Sequence, residues 1–220
     1  APSTPVIVNI DLTPPDAAGD LVLSNDSTGT AVPITNGATN DTTPVLSGTA
    51  EPNSIVTVFD TVGTTVTTLG SVTVAADGSW SFTSPTLGEG AHSLTTTVTD
   101  PAGNVQLDST SVDFTVDLTP PAVAGDVVLN NNNNPTALVP ILDGGATNDT
   151  TPVLSGTAPE GSVITIYDGA NVLGTVVVDA SLAWTFTTAA LSPGEHSLST
   201  TVTDPAGNVS DPSPTIGFTA

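Results

Sequence analysis

The 220-residue sequence predicts an all-β chain: two tandem seven-stranded β-sandwiches arranged end to end. Three observations carry this. Long phrases recur: "DLTPP" at 11–15 and 117–121, "NDTTPVLSGTA" at 40–50 and 148–158, and "TVTDPAGNV" at 97–105 and 201–209. The offsets are 106, 108 and 104, so two parallel units differ only by short loop changes. Apolar residues alternate with period two and never keep helical spacing for more than a few residues. Composition agrees, being rich in Thr, Val, Gly and Pro and poor in aromatics.

The boundaries follow from the repeat. Residues 1–10 ("APSTPVIVNI") precede the first "DLTPP" as "SVDFTV" precedes the second, and read as a remnant of the last strand of an earlier copy, or a linker. Unit one spans 11–116 and unit two 117–220, each long enough to bury its own core. The Asn130–Asn134 run and a shorter turn after Asp168 than after Asp60 account for the changing offsets.

In unit one the strands are predicted at about 19–24, 44–50, 54–60, 67–75, 79–84, 92–99 and 107–116. "SIVTVFD" is a mixed but strongly strand-forming run. "GSVTVAADGSWSFT" puts Val72 and Val74 on one face, then Trp80 and Phe82 on one face after an Asp-Gly turn, the signature of a hairpin. "HSLTTTVTD" alternates through Leu94, Thr96, Val98 and Asp100. Prolines punctuate too often for helices. Seven short strands in so few residues fit two packed sheets with Greek-key connections. Trp80 falls on the fifth strand with no cysteine pair, which excludes an antibody-type domain.

Charge narrows the function. The chain has 22 acidic residues, no Lys or Arg, and a formal charge of −22. Nothing can neutralise a phosphate, so nucleic acid and anionic membrane surfaces are excluded as partners. Cations are the natural counterions. Absent cysteine excludes disulfides and thiolate metal sites. A 37% apolar content argues against a disordered acidic tail. No apolar run approaches the roughly 20 residues of a membrane span, no direct membrane insertion is expected, and the chain reads as a monomeric piece of something larger.

"DLTPP", "NDTTPVLSGTAEPNSIVTVFD", "ADGSWSFTSPTLGEGAHSLTTTVTDPAGNV" and their second copies resemble the bacterial immunoglobulin-like tandem repeats of large RTX-type surface adhesins. The resemblance covers nearly all of 11–220. It implies immunoglobulin-like sandwiches acting as an extender, with Ca2+ at and near domain junctions and neighbouring copies of the same repeat in a longer chain. It also implies a secreted, extracellular protein at the bacterial cell surface, projecting a ligand-binding tip for adhesion or biofilm formation.

The residues reach a compatible reading independently. In a sandwich running end to end, loops after strands two, four and six share the pole where the chain enters. Loops after one, three and five share the pole where it leaves. "TDPAGN" and "AEPNS" therefore lie near "DLTPP", whereas "TNDTTP" and "LGEG" lie beside the exit. Stacking would bring Asn40, Asp41 and Glu89 of unit one to Asp117, with Glu160, Asp204 and Asn208 arriving from unit two. The first-unit counterparts are Asp11, Glu51, Asp100 and Asn104, and Asp149 repeats Asp41. Asp26 is placed away from the junction. Calcium takes six to eight oxygens at about 2.3–2.6 Å in irregular geometry. Pro101 restrains the chain beside Asp100, Gly103 is free to take positive φ, and Asn104 adds a neutral oxygen.

Each residue also has a plainer role. A single Asp in a turn is ordinarily a turn former or a solvated charge; it is the recurring set Asp11/Asp117, Asp41/Asp149 and Asp100/Asp204 that points to cations. His92 and His196 occupy matching places in "AHSL" and "EHSL" and read as structural or exposed. No Ser-His-Asp arrangement fits, because His92 and Ser93 face opposite sides of a strand. Trp80 and Trp184 read as core. Glu51 and Glu160 have no pocket-forming surround. An enzyme is not expected. Spacer, binding module with Thr-rich faces (Thr95, Thr97, Thr99) for a surface, ice or a glycan, and enzyme accessory domain remain; repeated polar loops favour the spacer.

Overall fold

A computed structural model describes residues 9–107, 110–133 and 137–220. The chain divides into two compact units, Ala1–Asp117 and Leu118–Ala220, and the described residues hold strands and turns without a helix. Most of the predicted remnant strand, residues 1–8, lies outside the described residues, as do Asn134 and the 108–109 stretch of the predicted last strand.

Unit one runs β1 (Gly19–Asn25), β2 (Val32–Pro33), β3 (Ala38–Thr39), β4 (Val45–Thr49), β5 (Ile55–Val62), β6 (Thr65–Thr73), β7 (Ser79–Thr83), β8 (Gly90–Thr99), β9 (Val105–Gln106) and β10 (Val112–Val116). One sheet has the order β2-β1-β4-β7 and the other β3-β10-β8-β5-β6, with β9 on β8. Pairing is antiparallel except between β3 and β10, which run parallel. Unit two repeats this as β11 (Gly125–Asn131), β12 (Val139–Pro140), β13 (Gly145–Ala146), β14 (Val153–Thr157), β15 (Val163–Asp168), β16 (Asn171–Val177), β17 (Ala183–Thr187), β18 (Glu195–Thr203) and β19 (Ile216–Thr219). Its sheets are β12-β11-β14-β17 and β13-β19-β18-β15-β16.

Seven longer strands of unit one lie at the predicted places, and unit two has the same number of longer strands, as expected. The two-residue strands β2, β3 and β9 were not foreseen, since two residues carry no periodicity. The predicted last strand begins late: Leu107 is 73% exposed, and pairing with β8 starts at Val112.

Period-two alternation builds the core. Leu23, Leu46 and Trp80 from the first sheet meet Val56, Val58, Leu94, Val98, Phe114 and Val116 from the second, all buried. Full burial of each such side chain contributes about 1.5–3 kcal/mol. Trp184 lies in the equivalent core of unit two, as expected. The alternation through Leu94, Thr96, Val98 and Asp100 holds, and all four are buried.

One expectation is overturned. Asp77–Gly78 does not close a hairpin: β6 pairs with β5 and β7 pairs with β4, so this turn crosses from one sheet to the other. Val74 and Trp80 still face one core, but from opposite sheets. The Asp-Gly signal is local, with Asp77 Oδ1 accepting the Ser79 N–H at 3.0 Å. It fixes a reversal of direction and says nothing about which strands pair.

Close approach explains one repeated glycine. A Cβ on Gly48 would lie 2.6 Å from the Gly19 carbonyl, and one on Gly156 2.8 Å from Gly125 O and 2.7 Å from the Trp184 ring. The twin tryptophans lie over backbone that only glycine can supply.

Candidate functional site

The "TDPAGN" phrase is the most completely built turn in each unit. Asp100 is buried at the end of β8. Its Oδ1 accepts the Asn104 N–H at 2.8 Å, and its Oδ2 accepts the Asn104 side-chain amide at 2.8 Å. Asp204 and Asn208 repeat both bonds at 2.8 and 2.9 Å. Gly103 and Gly207 take φ of 96° and 100°, the left-handed conformation expected of Gly103. The Asn104 side-chain amide, foremost, with backbone N–H groups, holds the Asp100 carboxyl below its ordinary value. That contribution to stability is present above the ordinary carboxylate range and is lost as pH falls through the folded value.

In unit one this turn meets the incoming chain. The Asn104 side-chain amide also donates to the Asp11 carbonyl at 3.2 Å, so "TDPAGN" and "DLTPP" share a pole as expected. In unit two the loop carrying Glu160 reaches the same pole: a Cβ on Gly161 would stand 3.4 Å from Pro205. The exposed Asp11 side chain accepts the Thr13 N–H at 3.0 Å.

The opposite pole is built on Asp41 and Asp149, which are 4% and 1% exposed. Asp41 Oδ1 accepts the Thr43 N–H at 2.9 Å and its Oδ2 the Asp26 N–H at 3.0 Å. Asp149 repeats this with Thr151 at 2.9 Å and Asn132 at 2.8 Å. Each carboxylate is largely spent on backbone donors. Asp26 is therefore not remote from this group: its own N–H is bound to Asp41. The chain leaves beside it, the Asp117 N–H donating to Thr39 O at 2.9 Å, and the segment before Glu89 is tied in by Leu87 N–H to Thr42 O at 2.8 Å. Asn40 accepts from the Asn25 amide at 3.4 Å. Glu51, Glu89 and Glu160 are exposed.

Among the described residues no three His, Cys, Asp or Glu side chains are gathered where they could hold one metal ion. The Asp100–Asn104–Asp11 group fits a hard cation in donor chemistry, since it offers a carboxylate, an amide and a carbonyl. It falls short of the six to eight oxygens that calcium takes.

Sequence reading missed one pair in each unit. The buried His92 Nδ1 lies 2.7 Å from Asp60 Oδ2, and His196 Nδ1 lies 2.7 Å from Asp168 Oδ2. The signal was present. Asp60 is in phase with Val56 and Val58 and so points inward, and a chain without Lys or Arg has only histidine to answer it.

The fold recurs among solved structures. The FN1–FN3 domains of chicken CNTN1 align over 94% of this chain and 67% of theirs, at 15% identity and a TM-score of 0.52. A tetra-tandem repeat in the extending region of a large adhesion protein is 26% identical over 93% of this chain and 49% of its own, with a TM-score of 0.31. A Ca2+-stabilized adhesin with which an Antarctic bacterium reaches out and binds ice is 24% identical over 93% of this chain and 49% of its own, with a TM-score of 0.34. The chain thus spans about half the length of these two adhesin structures. No curated protein sequence matches it. The family model of the bacterial Ig-like domain matches residues 13–118 and again 142–219. The chain belongs to the bacterial Ig-like domain family.

Proposed function

We propose that the chain is a structural extender segment of a bacterial cell-surface adhesin, made of repeats stiffened by Ca2+ and projecting an adhesive tip outward. The observation that carries this is the "TDPAGN" turn, reproduced bond for bond in both units and, in unit one, joined to the Asp11 carbonyl. A module selected for binding a target would vary such a loop; a module selected for connection repeats it. Asp100, Asn104 and Asp11 in unit one, and Asp204 and Asn208 in unit two, supply part of an oxygen shell. The exposed Glu51 and Glu160 lie on loops of the same pole, and water or a neighbouring repeat completes the shell. Asp41 and Asp149 serve by holding the other pole in shape. Charge supports the reading: with 22 acidic groups, no Lys or Arg and only two histidines, cations from solution are needed to offset most of the negative charge. At 4 Å each like-charged pair costs about 1 kcal/mol in water and more when shielded from it.

The alternative of a surface-, ice- or glycan-binding face draws on the outward threonines of β5 and β8. Thr57 there spends its hydroxyl on Ser71 at 2.9 Å, which satisfies part of that face internally.

Calorimetric titration with calcium tests the proposal. The expected result is saturable heat at or below millimolar calcium, reduced when Asp100→Asn and Asp204→Asn remove the paired charges. Absence of any heat, or heat unchanged in that variant, refutes the assignment.

A further inference from the structure

The two histidines are held alike, each between a carboxylate and a backbone carbonyl. His92 Nδ1 faces Asp60 Oδ2 at 2.7 Å while its Nε2 faces the Gly88 carbonyl at 2.9 Å. His196 repeats this with Asp168 Oδ2 at 2.7 Å and the Ser192 carbonyl at 2.8 Å. A carbonyl oxygen only accepts, so Nε2 must carry a hydrogen. An ionised carboxylate also only accepts, so Nδ1 must carry one too. A neutral imidazole would leave a bare lone pair against an oxygen at hydrogen-bond distance.

The surroundings shield both rings, although the Asp168 side chain of unit two is 21% exposed. The histidine side chains are 5% and 7% exposed. Phe114 stacks on His92 with centroids 5.5 Å apart, and Phe218 on His196 at 5.4 Å. The second oxygen of Asp168 accepts the Ser197 N–H at 2.9 Å, whereas that of Asp60 is buried with no hydrogen-bond partner. The Asp60 carboxylate therefore depends on His92 alone for compensation of its charge. The arrangement recurs although the preceding residues differ, "LGEGAH" against "LSPGEH".

Every charged group on the elements packed around the rings is acidic. Around His92 these are Asp60 on β5, Asp113 on β10 and Glu89 in the turn before β8; Asp113 accepts from the neighbouring Ser93 hydroxyl at 2.5 Å. Around His196 they are Asp168 on β15, Glu195 on β18 and Asp143, which accepts the Gly217 N–H at 2.8 Å beside Phe218.

We infer that each unit carries a proton-dependent latch: a doubly protonated imidazole bridges an aspartate of β5 or β15 to the carbonyl of the turn leading into β8 or β18. Loss of the proton breaks one of the two bonds and frees that turn. For His196 the Asp168 hydrogen bond, followed by the Ser192 carbonyl, raises the ring above its ordinary value of 6.5, against the opposing effect of burial. The sign is set by that direction. The stabilisation is complete below 6.5 and disappears as pH rises through the higher folded value. The latch therefore strengthens unit two towards acid and weakens it towards alkali.

Nitrogen-15 NMR of the intact chain reads the latch directly, because the chain has only two imidazole rings to assign. At pH 6 both ring nitrogens of His196 are expected to be protonated, with its midpoint above 6.5. Amide exchange in residues 192–196 is expected to accelerate beyond that midpoint. Thermal melting should fall between pH 6.5 and 9, a window in which no Lys or Cys side chain exists to titrate. That slope should vanish in the double variant His92→Gln, His196→Gln. A neutral tautomer at pH 6, a His196 midpoint at or below 6.5, or melting flat across the window overturns the inference. Should the double variant fail to fold, the ring shifts and the melting curve of the unaltered chain still decide.

Discussion

Replacing Asp41 and Asp149 together by alanine separates a structural carboxylate from a metal ligand. In the folded chain Asp41 accepts backbone N–H groups from Thr43 at 2.9 Å and Asp26 at 3.0 Å, and Asp149 accepts from Thr151 at 2.9 Å and Asn132 at 2.8 Å. Alanine leaves two backbone donors unmet in each unit, besides a threonine hydroxyl that is free to turn to water. A hydrogen bond to a charged acceptor contributes about 1.5–3 kcal/mol. The donor residues are half-buried, so water replaces part of that, and losing one charge in an all-acidic chain gives some back. The net cost is about 2 kcal/mol per unit, equivalent to a fall of roughly 10 °C or more in melting temperature for a domain of this size. Because these carboxylates are spent on the backbone, the fall should be the same in EDTA as in calcium. Calorimetric melting of the double variant under both conditions is the assay. A cost below about 0.5 kcal/mol, or one that appears only with calcium, would show that the two aspartates are ion ligands.

Two further substitutions probe the backbone. Gly156→Ala sets a Cβ 2.7 Å from the Trp184 ring and 2.8 Å from the Gly125 carbonyl, and should destabilise unit two by about 1–3 kcal/mol in denaturant melts; a neutral result would mean the sheet yields there. Leu182 holds φ of 61° where its counterpart Gly78 holds 86°, and it is 49% exposed. Leu182→Gly should therefore raise the stability of unit two by up to about 1 kcal/mol, since left-handed conformation costs a non-glycine residue about 1–2 kcal/mol and glycine's extra entropy offsets part of it; a loss of stability would contradict the strain.

What could be read from the sequence was whatever repeats at short range. Alternation in "HSLTTTVTD" and "SIVTVFD" marks strands because burial on one face demands it, and Asp100, Gly103 and Asn104 fall within five consecutive residues of one turn. Long-range choices left weaker traces. The Asp77–Gly78 reversal looks alike whether it joins paired strands or crosses between sheets. Asp26 and Asp41 lie fifteen residues apart and meet through a backbone N–H, which no side-chain pattern announces. Asp60 and His92 are separated by 32 residues, and only their phase on two strands, together with the lack of any other cation, betrays the pair. The parallel β3–β10 contact rests on two residues, too few for any periodicity.

The melting temperature of the unaltered chain, taken after thorough chelation and again in millimolar calcium, bears most directly on the cation-stiffened extender. Calcium at about a hundred times its dissociation constant adds about 2.7 kcal/mol to stability, so a rise of ten degrees or more, reversed by EDTA, is the expected result. Identical melting in both conditions would contradict it and leave the paired acidic turns as fasteners of the loops alone.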